Sequence, residues 1–369
     1  MKIAFLGIKG LPSRWGADRV VEALVQQLRA SHDITVYCNS RVTPRDFQMP
    51  GVRLVRLPVP PGKHLEPTSL FTLSALHAVA LGGYDLVHLH NAEACFVAPL
   101  LRLRYPVLGT SHGPAYARAK WGWLSQKMIR LADHFYGRFP HLLTCMSLPL
   151  SKEYEGKHRR VVHYIPNGVE PDPPVNLAAA SATLQAHGVT EDGYILFAAG
   201  RLDPTKGCHL LIEALGRVED NLRLVVVGNP ETAPTYCEDL RRRADHRVTF
   251  IPFIESKAEL FGLVSKARFF VFPSTVEAMS MMLLEVASLG VPALCSDIPE
   301  NSGALGEHAL YFRSGDSADL AAKLKCVLDH PEHLERLGRS AQQWVRENNS
   351  WGQIAKQYDE LYRRLSPND

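Results

Sequence analysis

Two glutamates, Glu277 and Glu285, stand in the otherwise apolar stretch FPSTVEAMSMMLLEVASLG, residues 272–290, with seven residues between them. A carboxylate can accept hydrogen bonds from two vicinal hydroxyls, so each could hold one ring of a sugar-like ligand. At 1.5 Å per residue their separation is at most about 12 Å, the scale that divides the sugar from the ribose in a nucleotide-sugar. Glycosidase carboxylates work across one bond at about 5–9.5 Å. Service to two rings is the better use of this spacing, and hydrolysis stays open. The plain alternative for Glu277 is a structural ion pair or a charge at a helix start. A second group lies in AAGRLDPTKGCHLLIEAL, where Arg201 and Lys206 are five residues apart on a turn between a strand and a helix. Two cations so placed suit a diphosphate and would neutralise charge that builds on a departing phosphate. The alternative is a pair of solvated surface cations.

Two further loops carry weaker signals. GIKGLPSRWGADR follows the first strand with glycines at 7, 10 and 16 and leads into a helix start, a natural phosphate site. The spacing is not that of a dinucleotide-binding loop, and no acidic residue closes the next strand, which disfavours a nicotinamide cofactor. VLGTSHGP places His112 after a strand, where it could polarise a hydroxyl or bind a phosphoryl oxygen. In HLHN, His88 and His90 share a strand face at a spacing zinc could use, but no third ligand is evident. A D-x-D pair of the kind that holds a divalent cation on a diphosphate is missing. No metal and no cofactor are therefore expected.

These groups need loops at strand ends, and the pattern supplies them. KIAFLGI reads as a buried parallel strand, and ADRVVEALVQQLR puts Ala17, Val20, Val21, Leu24 and Leu28 on one helical face. Strands and helices alternate to about residue 170. The proline cluster in EPDPPVNLAAA reads as a linker, and the alternation restarts at YILFAAG. Two rounds of alternation imply two doubly wound α/β domains, residues 1–170 and 171–350, facing across a cleft at the carboxyl ends of both sheets. The final stretch SWGQIAKQYDELYRRL is helical, with Ile354, Tyr358, Leu361 and Leu365 on one stripe. The 369 residues are 46% hydrophobic and 21% charged, ordinary for a globular enzyme, and the net charge of +3 gives no reason to expect nucleic acid. Seven scattered cysteines without a C-x-x-C pair read as reduced thiols, so a cytoplasmic location is expected. No apolar run is long enough to read as a membrane span.

Taken together, GRLDPTKGCHLLIEAL, YIPNGV and EAMSMMLLEVASLGVPALCSDIPEN resemble glycosyltransferase family 4, retaining enzymes of the GT-B fold. The resemblance runs through nearly the whole chain in family order. It implies that Arg201 and Lys206 contact the donor diphosphate, that Glu277 binds hydroxyls of the donor sugar and Glu285 the ribose, that Gly16 lies near the phosphate and that His112 lies near the reacting centre. Residues 278–281 (Ala278, Met279, Ser280 and Met281) would follow the donor sugar with backbone amides. It also implies metal independence and a closing helix, residues 351–369, that packs back on the first domain. Two departures stand out. Trp15-Gly16-Ala17-Asp18 replaces the usual Gly-Gly pair and following Glu, and Ala278-Met279-Ser280 replaces Gly-Phe-Gly.

The expected reaction is transfer of a hexosyl unit from a nucleotide-sugar to a hydroxyl of a growing glycan, a lipid-linked sugar or a small glycoside. Family frequency favours UDP-sugars. The resemblance favours front-side attack with the leaving phosphate helping to deprotonate the acceptor. The rivals are a nucleotide-sugar epimerase or hydrolase on the same scaffold, and a non-catalytic partner that binds nucleotide or glycan. In YARAKWGWLSQKMIRLADHFYGR, Leu124, Met128, Leu131 and Phe135 share a stripe beside Trp121, Trp123, Arg118, Lys120, Lys127 and Arg130. This stretch either packs into its own domain or rests on an anionic membrane surface, which would make the protein peripheral at the inner face of a membrane.

Overall fold

Runs such as KIAFL and RLVVVG have almost no polar position to turn toward water, so they need cover on both faces, as strands of a parallel sheet have. A computed structural model of the chain describes residues 1–13, 16–62, 65–113, 123–191, 193–218 and 222–366. The chain divides into two compact units, residues 1–168 with 351–369, and residues 169–350. The sequence pattern put the break at 170/171.

In the first unit the described strands are β1 (Lys2–Leu6), β2 (Asp33–Asn39), β3 (Val52–Leu57), β4 (Leu86–His90), β5 (Val107–Ser111), β6 (Leu142–Cys145) and β7 (His163–Tyr164). They form one parallel sheet in the order β3-β2-β1-β4-β5-β6-β7. The second unit holds β8 (Tyr194–Ala199), β9 (Arg223–Gly228), β10 (Val248–Ile251), β11 (Phe269–Phe272), β12 (Ala293–Ser296) and β13 (Leu310–Phe312). Its order is β10-β9-β8-β11-β12-β13, again all parallel. Each sheet starts in its middle, winds to one edge and then to the other. That leaves a switch point between β1 and β4 in one unit and between β8 and β11 in the other, where ligands of such sheets bind.

Parallel neighbours require crossovers, and amphipathic helices provide them. The helix Gly16–Leu28 buries Val20, Val21, Leu24, Val25 and Leu28 against the first sheet. The helix Trp351–Leu365 belongs to the same unit and buries Ile354, Tyr358, Leu361 and Tyr362. Each such side chain contributes about 1.5–3 kcal/mol on burial, so packing rather than helical propensity holds this element. The Tyr362 hydroxyl lies 2.8 Å from Nδ1 of His88 on β4.

Four stretches differ from their sequence reading. The expected linker EPDPPVNLAAA ends early. Asn176 caps a helix, Leu177–Ala186, by accepting from the Ala179 N–H at 3.0 Å, and Ala180 and Leu184 are buried. Gly262, on the helix Lys257–Lys266, admits this neighbour, because a Cβ there would stand 2.5 Å from the Asn176 carbonyl oxygen. The stretch RVVHYIPNGV contributes only the two residues of β7 before Pro166 intervenes. The helices Leu148–His158 and Pro331–Asn348 were not foreseen, since the first buries only Leu150, Ser151 and Tyr154 and the second is dominated by charged and amide side chains.

Candidate active site

In the second unit the loops at the switch point are those that follow β8 and β11. After β8, Asp203 folds the chain back: its carboxylate accepts from the Thr205 N–H at 3.1 Å and from the Thr205 hydroxyl, closing a 3-10 turn, Pro204–Lys206. Gly207 then takes φ +72 and opens the helix Cys208–Leu215. A Cβ at Gly207 would stand 2.0 Å from the carbonyl oxygen of Pro273, so glycine is required for the two loops to meet. They are also joined by the Thr275 N–H, which donates to the Thr205 carbonyl at 2.8 Å. The consequence is direct: Lys206 Nζ lies 2.5 Å from Glu277 Oε1, with the two side chains only 18% and 10% exposed. Lys206 is thus not a solvated cation. Arg201 is: half of its side chain is exposed, and its guanidinium is 3.9 Å from Asp203.

Beyond Glu277, Ser280 caps the helix Met281–Ser288 by accepting from the Leu283 N–H at 3.3 Å. Met279 is buried, while Ala278, Ser280 and Met281 are half-buried. Glu285 is buried within this helix, at 7% exposure, and Lys257 approaches it at 3.5 Å. The loop is held from behind: the Ser296 hydroxyl donates to the Ser274 carbonyl, and Asn301 Nδ2 donates to Ser296 at 3.0 Å. The structure therefore brings Lys206 and Glu277 into contact, puts Arg201 on the same loop as Lys206, and keeps Glu285, buried on the following helix, in a separate ion pair with the exposed Lys257.

In the first unit the switch-point loops follow β1 and β4. Gly7, at φ +93, presses so closely on the end of β4 that a Cβ would stand 1.9 Å from the His90 carbonyl oxygen. Across that junction Asn91 Nδ2 donates to the Gly7 carbonyl at 2.7 Å, and Asn91 itself sits at φ 71, ψ 129, a conformation costly for a residue with a side chain. Asn91 is a residue the sequence reading passed over; its signal is an amide at a strand end, one of the few side chains that tolerate positive φ. The loop from Lys9 is gripped from the next helix. The Lys9 N–H donates to Asp18 at 3.2 Å, and the Ser13 N–H to Glu22 at 3.2 Å. Burial pushes the Asp18 carboxyl up to about 6, against the lowering effect of the Lys9 and Gly10 backbone N–H groups. Gly16 begins the helix in an exposed position, and a Cβ there would meet nothing within 4 Å among the described atoms. Among the described residues nothing gives this glycine a steric cause.

His112 follows β5 and is half-buried, and its Nε2 lies 2.9 Å from Nδ1 of His90. His88 and His90, whose spacing zinc could use but which had no evident third ligand, are a tilted ring pair with centroids 3.9 Å apart and an interplanar angle of 34°. His88 commits both nitrogens, to the Tyr362 hydroxyl at 2.8 Å and the Thr110 hydroxyl at 2.6 Å. Among the described residues no group of three or more His, Cys, Asp or Glu side chains is placed to hold a metal ion. Of the basic aromatic stretch, Arg118, Lys120 and Trp121 and the side chains of Trp123, Leu124 and Met128 lie outside the described residues. The rest of the stripe is divided, since Phe135 packs on the core while Leu131 is exposed beside the exposed Lys127 and Arg130. No described helix is long and apolar enough to cross a membrane.

Two sheets of this topology, with their loops gathered at the switch points, have the architecture of GT-B glycosyltransferases. A sucrose-phosphate synthase from Thermosynechococcus elongatus shares the fold with a TM-score of 0.82 and 22% identity, over 100% of both chains. So does Anabaena Alr3699/HepE, solved in complex with UDP-glucose, with a TM-score of 0.79 and 19% identity over 99% of this chain and 100% of that one. The model described as Glycosyltransferase Family 4 matches residues 16–173, and that described as Glycosyl transferases group 1 matches residues 181–344. The chain belongs to glycosyltransferase family 4, and it is an enzyme that transfers a sugar. Among curated relatives, the glycogen synthase of Mycobacterium tuberculosis is 26% identical over 388 residues, 94% of this chain and 90% of that protein. The α-maltose-1-phosphate synthase of the same organism is 24% identical over 397 residues, 99% of this chain and all of that one.

Proposed function

We propose that the enzyme moves a hexosyl unit from a UDP-sugar to a hydroxyl of a glycan, a lipid-linked sugar or a small glycoside, with retention of anomeric configuration and without a metal. The observation that carries this reading is the contact between Lys206 and Glu277 at the β8/β11 switch point. It sets a cation for the diphosphate beside a carboxylate for the sugar hydroxyls, on two loops that the fold locks together. Arg201, with half its side chain exposed, adds a second cation. Glu285 accepts from the ribose, and residues 278–281 (Ala278, Met279, Ser280 and Met281) lie along the sugar. In the first unit Gly16 leaves open space for a phosphate beside a helix start, and His112 hydrogen-bonds an oxygen of the donor. The UDP-glucose held by the Anabaena protein of the same fold supports uridine as the base.

As the diphosphate departs, Lys206 and Arg201 meet charge that grows only in the transition state, which is where a fixed cation lowers the barrier most. Glu277, turned toward the sugar, orients it for attack on the face the phosphate leaves. The Leu131 region is proposed to touch an anionic lipid surface; flotation with anionic liposomes at low salt checks this, and a protein left at the bottom of the gradient removes it. A thermal-shift screen of UDP-, GDP- and dTDP-sugars tests the donor, with the largest stabilisation expected from a UDP-hexose. Product anomers followed by proton NMR then test retention. A protein stabilised by none of these nucleotides would end the reading.

A further inference from the structure

We propose that Phe253 is the platform on which the nucleobase of the donor stacks. The inference rests on the proposed donor site, with Glu285 at the ribose and Arg201 at the diphosphate, and adds the base to it.

A single exposed apolar side chain is ordinary in a folded protein and by itself asks for no explanation. Phe253 is set apart by its place. It lies two residues beyond the end of β10, at 51% exposure, more than any other described phenylalanine or tryptophan. β10 forms one edge of the second sheet, and the register fixes what stands level with it: Ile251 pairs with Val227 on β9, and Val227 with Ala198 on β8. Two residues further along each strand come Phe253, Asn229 and Gly200, at the carboxyl edge where ligands of such sheets bind. With β9 between them, β8 and β10 are about 9.5 Å apart. Yet a Cβ on Gly200 would stand 4.0 Å from Cε2 of Phe253. The ring therefore reaches across the end of β9 instead of turning out beyond the edge strand. Gly200 is exposed, and apart from its chain neighbours that ring is the only described group within 4 Å of such a Cβ. A flat apolar surface thus borders a gap that glycine leaves open.

The neighbours of this surface match the rest of a nucleotide. Gly200 leads directly into Arg201, whose half-exposed guanidinium is the proposed second cation for the diphosphate. Four residues past Phe253, Lys257 Nζ stands 3.5 Å from Oε1 of Glu285, the proposed ribose carboxylate. A base is bonded to its ribose, so a ribose at Glu285 brings the base to this loop. Every base has a π face, so stacking on a phenylalanine adds affinity without choosing among bases. Phe253 strengthens donor binding and does not itself select uridine.

Titration calorimetry of UDP against wild type, Phe253→Ala, Phe253→Tyr and Glu285→Gln, with NMR of the uracil protons, tests this. Phe253→Ala should weaken UDP binding by about tenfold to a hundredfold, the scale of one base stacked on one aromatic ring, while Phe253→Tyr keeps it. Because the ring is exposed, the Tm of unliganded Phe253→Ala should match that of wild type. The loss in turnover should fall on donor KM rather than on kcat, as removal of uniform binding does. On wild type, uracil H5 and H6 should move upfield in the ring current of the stacked aromatic, and Phe253→Ala should abolish that shift. Undiminished UDP affinity in Phe253→Ala, or an equal loss in Phe253→Tyr, would overturn the inference. Phe253→Ala binding UDP normally while Glu285→Gln does not would remove the platform alone and leave the donor site standing. A wild type that binds no UDP would remove the donor site and the platform with it.

Discussion

Replacing Lys206 and Glu277 singly and together separates a structural ion pair from a catalytic one. The two groups touch at 2.5 Å and are largely covered, so removing either leaves the other charge with little water to compensate it. Breaking a buried pair costs about 3–5 kcal/mol, and at 10–18% exposure the lower half of that range applies. For a unit of this size each kcal/mol moves Tm by about 2–4 °C, so Lys206→Met and Glu277→Gln should each lower Tm by roughly 6–16 °C. The double variant replaces the pair by neutral groups of similar shape and should recover most of that loss. Activity should not recover with it. If Lys206 meets the departing diphosphate, its removal costs on the order of 10²–10³ in kcat, and the double variant stays as slow as the slower single one. The assays are calorimetry for Tm and release of UDP from the UDP-sugar singled out by the thermal screen. A double variant that regains turnover together with stability would refute the catalytic reading and leave Lys206 and Glu277 as a strut between two loops.

The same geometry sets three further outcomes. Arg201→Ala removes a half-exposed side chain whose described ion pair is the 3.9 Å approach to Asp203, so turnover should fall by about tenfold to a hundredfold with Tm nearly unchanged, the reverse of the Lys206 pattern. Gly207→Ala must both hold φ +72 and clear the Pro273 carbonyl, so it should lose at least about 1–3 kcal/mol in urea unfolding and weaken UDP binding by titration calorimetry. Asp18 binds its proton more tightly folded, at about 6, than in the unfolded chain near its ordinary 3.8. Between those values the folded state holds more protons, so stability falls as pH rises and the cost is complete above about pH 6, at roughly 2–3 kcal/mol. Asp18→Asn, which keeps an acceptor for the Lys9 N–H, should therefore raise Tm at pH 7 and flatten its decline between pH 4 and 6.

The frame and the second-unit loops were legible in the sequence for one reason: a strand buried on both faces must be a continuous apolar run, and the loop after such a run lies at the sheet's carboxyl edge. KIAFL, RLVVVG and FFVF are such runs, and Glu277, Arg201 and Lys206 stand just beyond strands of this kind. What stayed hidden depends on contacts between distant positions. Nothing local distinguishes His88, whose nitrogens are taken by Tyr362 and Thr110, from His90, which faces His112. Nothing local marks Asp18, in a first helical turn, as buried, yet it is, with the loop at Lys9 folded onto it. The prolines near 171–174 masked the helix that begins at Leu177, since a linker and a helix entry share the same breakers before the cap at Asn176 is recognised.

The helix Trp351–Leu365 covers the sheet that opens the chain, and its Tyr362 closes over His88. On a ribosome this imposes an order. The continuous stretch 169–350 has its whole core available as soon as it emerges, whereas the earlier-made 168 residues must wait, with one flank of their sheet bare, until the helix arrives. Of these two units the earlier-made one is thus completed after the later one, and the histidines beneath that helix gain their buried setting only once residues 351–365 have emerged.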